Sequence, residues 1–110
     1  MTSARKLLRM RRRVDDLHFD VNRGAYSDEH LKHLRDLVAI IESACSVNPS
    51  QISRYSGVTP AVIRNIKGGG RPKLPNFLGV CSALSLIVSE RLVELGVLVR
   101  LDPLALDGSL

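Results

Sequence analysis

Five cations, Arg54, Arg64, Lys67, Arg71 and Lys73, stand in a stretch from Ser43 to Ser89 that contains no Asp or Glu. A chain with 11 acids in 110 residues would place about five in those 47 positions by chance. Cations retained where acids are missing create a positive field, and such a field attracts a polyanion. The competing reading is a solvated basic surface with no partner. Three glycines, Gly68 to Gly70, separate Lys67 from Arg71. Glycine lets backbone N–H groups come close to a phosphate, and the flanking cations add Coulomb attraction. Gly70-Arg71-Pro72 is also the core of a minor-groove hook, although the arginine that precedes such a core is missing.

Other chemistries find less support. His30 and His33 share a helix face but have no third metal ligand nearby, which makes them surface histidines. Cys45 and Cys81 lie 36 residues apart with no close partner, and read as reduced core residues. There is no Ser-His-Asp set, phosphate-binding motif or carboxylate pair, and the acid-free centre leaves no general base. No enzymatic activity, cofactor or metal is expected.

The elements that must carry the cations follow from composition and periodicity. Apolar residues make up 45% of the chain, enough for a packed domain. No unbroken apolar run approaches a membrane span, and the basic N-terminus lacks the apolar segment of a secretory signal. A cytoplasmic, nucleoid-associated protein is expected. Aromatics at 4% and the absence of Trp disfavour single-strand or RNA binding by stacking.

Residues 1–24 read as a basic amphipathic helix. Leu7, Met10, Val14, Leu17 and Val21 form its apolar seam, Arg11–Asp15 and Arg12–Asp16 are its i,i+4 pairs, and Gly24 ends it. Residues 27–96 read as a helical domain able to close its own core. Ser27 caps the first helix of that domain, with Asp28 and Glu29 at the positive end of the dipole. Asn48-Pro49 opens a helix over 49–56, stopped by Gly57. Thr59-Pro60 opens another over 60–67. A breaker-rich loop follows to Pro75, then a helix over 76–86 and a last one capped by Ser89 and closed near Gly96. The apolar tail 97–110 is a candidate dimer contact.

Residues 49–67 read as helix, tight turn, helix. Ile52 and Ile63 face each other, Ser53 permits a close crossing, Gly57 permits a positive φ, and Val58 plugs the angle. Two short helices joined in this way can place the second in a major groove. In these features the chain resembles the helix-turn-helix domain of the lambda-repressor/Cro superfamily, the xenobiotic-response-element type. The resemblance runs from about Leu34 to Leu95. It rests on Ile52, Ser53, Gly57-Val58-Thr59, Ile63, Ile66, the glycine-rich bend, Pro72, Phe77-Leu78 and Ala83-Leu84.

The resemblance implies an all-α, compact five-helix bundle, here with an extra N-terminal amphipathic helix. It implies a sequence-specific regulator of transcription, expected to be a repressor, that binds double-stranded operator DNA as a homodimer. The family often has Gln where Pro49 stands, Gln or Ser where Pro60, Ala61 and Val62 stand, and an acid where Lys67 stands. Base reading therefore shifts to Thr59, Arg64 and Asn65, with Ala61 or Val62 against thymine methyls. Arg pairs bidentately with guanine and Asn with adenine; Arg64 on a phosphate is the competing assignment. Ser50, Gln51, Arg54, Lys67, Gly69, Arg71 and Lys73 are the expected phosphate contacts.

A second function class competes: a protein-interaction module, such as an antitoxin or antiactivator, docking a partner through the seam of residues 7–21 or the apolar tail. Membrane attachment by the first helix is disfavoured by Asp15, Asp16 and Asp20. For a dimer, two surfaces qualify. One is the N-terminal seam, for which packing across its own domain is an equal alternative. The other comprises Leu92, Leu95, Val97, Leu98, Val99 and Leu101.

Overall fold

Local signals at each helix end set the element boundaries. Ser3 Oγ accepts from the Lys6 amide and starts α1, Ala4–Asn22. Ser27 and His30 form a reciprocal cap on α2, Asp28–Cys45, in which the Ser27 amide donates to His30 Nδ1 at 3.1 Å. Asn48 and Gln51 repeat this device at α3, Pro49–Ser56, with the two amide bonds at 2.9 Å each. Thr59 caps α4, Pro60–Lys67. Such caps satisfy amides that the first helical turn leaves unpaired. The computed structural model describes residues 2–98, and among them α5, Leu74–Glu94, completes an all-α five-helix bundle without strands.

Two boundaries differ from the sequence expectation. The helices expected at 76–86 and beyond Ser89 are one continuous α5. Nothing between Leu84 and Leu92 breaks a helix, and Ile87, Val88 and Leu92 extend the buried face that Phe77, Val80, Cys81 and Leu84 begin. Ser89 is therefore an interior residue, not a cap. The helix also begins earlier than expected, because Pro75 sits in its first turn, where the missing amide costs nothing.

The N-terminal helix is one of the five. Leu7, Val14, Leu17 and Val21 are buried at 0–5% exposure, and α1 packs on α5 and α2. Its seam is consumed by its own domain, and the core does not close over 27–96 alone. The expected pairs Arg11–Asp15 and Arg12–Asp16 do not form within 4.0 Å. Asp15 instead accepts from Ser85 Oγ at 2.9 Å. Arg11 keeps a buried Nε without a hydrogen-bond partner.

By length and composition α5 is apolar enough to cross a bilayer, with mean hydropathy 1.4 over its best window. In this fold eight of its residues pack into the core, which accounts for that composition. Cys45 and Cys81 are both buried and free. Burial, with a smaller contribution from the nearby Asp15 carboxylate, pushes the Cys81 thiol up to about 12.

Gly57 ends α3 in the left-handed region, φ 71°, and its amide donates to Ser53 O at 2.9 Å. A Cβ there would meet nothing within 4 Å, so any penalty for a side chain comes from the backbone alone. Gly57→Val is expected to destabilise the domain by about 1–2 kcal/mol, the cost of a left-handed L-residue. Denaturant titration reads this directly, and unchanged stability would mean the turn does not need its positive φ.

Candidate nucleic-acid interface

The α3–turn–α4 unit is anchored from beneath. Ile52, Ile63 and Ile66 are fully buried and Val58 nearly so. Gly79 of α5 faces the turn so closely that a Cβ there would stand 3.3 Å from Val58 Cγ2 and 3.5 Å from Ser56 O. The absence of a side chain at Gly79 therefore lets α5 support the turn.

Above this anchor, Thr59, Ala61, Arg64 and Asn65 are exposed at one surface of α4. Val62 is half-buried and packs partly against the core, so less of it stands outward than of Ala61. Asn65 folds back over the loop: a Cβ on Gly70 would overlap its amide, and Gly70 N donates to Asn65 O at 2.7 Å. Arg64 makes no ion pair among the described residues.

The end of α4 is held by α2. Arg35 Nε donates to Ile66 O at 3.1 Å, satisfying a carbonyl at the end of the helix. Lys67 Nζ lies 2.7 Å from Glu42 Oε1. Beyond the glycines, Arg71 Nη1 meets Asp28 Oδ1 at 2.6 Å and its Nη2 donates to Tyr26 O at 3.2 Å. The guanidinium also lies 4.3 Å over the Tyr26 ring. Tyr26 Oη donates to Pro72 O at 2.6 Å, and its ring tilts against Phe77 at 5.0 Å. Burial raises the Tyr26 phenol above its ordinary range, opposed by the adjacent Arg71 charge.

These contacts divide the expected phosphate set into paired and unpaired cations. Lys67 and Arg71 are tied to carboxylates of α2, so the segment that lacks acids in sequence is not free of them in space. Arg54, Arg64 and Lys73 are exposed and have no ion pair among the described residues. Ser50 and Gly69 are exposed too, and Gln51 Oε1 is engaged by the Asn48 amide. Sequence reasoning missed Arg35, Glu42, Tyr26 and Gly79, and gave Asp28 only a place at the helix dipole. Only Tyr26, an aromatic residue immediately before the Ser27 cap, carried a local signal.

The surfaces expected for pairing change as well. The seam of α1 is internal. Leu92 is buried, Leu98 packs partly against the core, and Leu95 and Val97 are exposed. Val99 and Leu101, with the rest of the tail, lie outside the described residues.

Comparison with known proteins finds no matching family model, no matching curated protein and no matching solved structure.

Proposed function

We propose that the chain is a sequence-specific DNA-binding regulator that reads the major groove with α4. One observation carries this reading: α4 is fixed on its inner side by Ile63 and Ile66 and at its C-terminal end by Arg35, while Thr59, Ala61 and Arg64 stand outward beside unpaired cations. A short helix held rigidly with a polar and basic outer face suits insertion into a groove. Thr59, Ala61 and Arg64 are the proposed base-facing residues; Asn65, whose amide lies over Gly70, would join them only by swinging outward. Arg54, Lys73, Ser50 and the Gly69 backbone are the proposed phosphate contacts.

A helix of eight residues spans few base pairs, too little to select an operator from a genome. We therefore propose a homodimer on inverted half-sites about 10 bp apart. The exposed Leu95 and Val97 at the end of α5 support pairing there.

Selection of bound fragments from random duplex DNA tests the reading, and an inverted repeat is the expected product. Arg64→Ala should relax the preference at one operator position by about 1–3 kcal/mol. Arg54→Ala and Lys73→Ala should instead weaken binding to every sequence, each lowering the salt slope by about one unit. Selection that returns no preferred sequence would refute base reading and favour a protein-interaction module.

A further inference from the structure

The charges of α1 are arranged against the dipole of their own helix. Arg5, Lys6, Arg9, Arg11, Arg12 and Arg13 fill its N-terminal half, with no acid in the first turn. Asp15, Asp16 and Asp20 follow in the second half, with no base in the last turn. Cations at the positive end of a helix and acids at its negative end each oppose the macrodipole. Apart from Arg23 at the C-cap, the charges at the two ends of α1 therefore do not serve its stability. Nor do they serve ion pairing, since none of these six cations forms a salt bridge among the described residues.

Arg5, Arg9 and Arg12 share the outward face, at spacings of four and three residues, with Arg13 beside them, and all four are exposed. From Arg5 to Arg13 the helix rises about 12 Å, the axial length of three to four base pairs.

This face lies away from α4. Arg35 and Glu42 of α2 hold α4, whereas His30, His33 and Leu37 line a cleft with Arg13, Asp16 and Leu17 of α1. At 100° per residue these two sets occupy opposite flanks of α2. A duplex seated on α4 leaves the arginines of α1 facing elsewhere.

We propose that the N-terminal half of α1 is a second, sequence-independent binding surface for the phosphate backbone of duplex DNA, engaged by a different segment of duplex from the one at α4. An anionic bilayer fits less well: Leu7, Val14, Leu17 and Val21 are buried in the core, and the exposed Leu8 and Phe19, eleven residues apart, form no continuous apolar face to insert. The site needs no base contact and takes any sequence.

The test uses the full chain with each surface disabled separately. Arg54→Glu/Arg64→Glu/Lys73→Glu reverses the charge of the α3–α4 face, and Arg5→Gln/Arg9→Gln/Arg12→Gln neutralises α1. Binding to a short random-sequence duplex is measured over a range of salt. The chain with the reversed α3–α4 face should still bind, and adding the α1 substitutions should lower its log–log salt slope by about 2–3.

The α1 substitutions should leave the melting temperature nearly unchanged, since the three side chains are exposed without an ion pair among the described residues and only Arg5 lies in the first turn, where a cation opposes the dipole. A lower melting temperature would give these arginines a structural role and overturn the inference. An unchanged slope, or no binding once the α3–α4 face is reversed, would overturn it as well. Preferential binding of the wild-type chain to phosphatidylserine-containing vesicles, lost with the α1 substitutions, would assign the patch to membranes. Failure of the α4 reading would show separately, as unchanged site selection when the α3–α4 face is reversed.

Discussion

A chain beginning at Tyr26 is expected not to fold. Removing α1 exposes the surfaces of α5 and α2 on which Leu7, Val14, Leu17 and Val21 are buried. Burial of each such side chain contributes roughly 1.5–3 kcal/mol. The four together contribute roughly 6–12 kcal/mol, against a total stability of about 5–15 kcal/mol for a domain of ordinary stability. The loss is of the same size as the whole. Circular dichroism and thermal melting of the truncated chain decide the matter. Native helicity with a cooperative transition would place a self-sufficient core in residues 27–96.

The sequence leaves the role of the first helix open between pairing and packing across its own domain, and the reason is physical. An apolar seam is the same sequence pattern whether it packs on its own domain or on a second copy. Leu7, Val14, Leu17 and Val21 show the periodicity of a buried stripe, and periodicity does not name the surface that covers it.

The helix-turn-helix unit was legible because its determinants are local. Asn48-Pro49, Gly57 and Thr59-Pro60 each act within a turn of the chain, and all three act in the structure as their types imply. Ser89 was misread because serine caps helices and also tolerates their interiors. The choice was made by Ile87, Val88 and Leu92, which pack on other elements.

The site was legible in outline and not in detail. The stretch from Ser43 to Ser89 is distinguished in sequence by its missing acids, not by a high density of cations. Which cations stay available depends on α2, distant in sequence, and Glu42 and Asp28 occupy Lys67 and Arg71. The exposed Arg71–Asp28 pair contributes little stability, whereas Glu42 in the other pair is largely covered. The consequence of both pairs is positional: they tie the end of α4 and the following loop to a helix that also carries Arg35.

The loop after α4 rests on Phe77, where the second large effect is expected. Phe77 is fully buried, and the Tyr26 ring packs against it. Tyr26 in turn holds Pro72 O with its hydroxyl and Arg71 over its face. Phe77→Ala should cost about 3–5 kcal/mol, combining lost transfer energy with the cavity left behind. Phe77→Leu should cost less, because it leaves a smaller cavity. Tyr26→Phe removes only the hydroxyl bond and should cost about 1 kcal/mol. Denaturant midpoints rank the three, and amide exchange across Gly68 to Lys73 reports whether the loop loosens with them. Faster exchange in Phe77→Ala than in Tyr26→Phe is the expected order, because alanine removes the support under the ring and phenylalanine keeps it. A Phe77→Ala chain as stable as the parent, with unchanged exchange in the loop, would mean that the end of α4 is positioned by Arg35 and Glu42 alone.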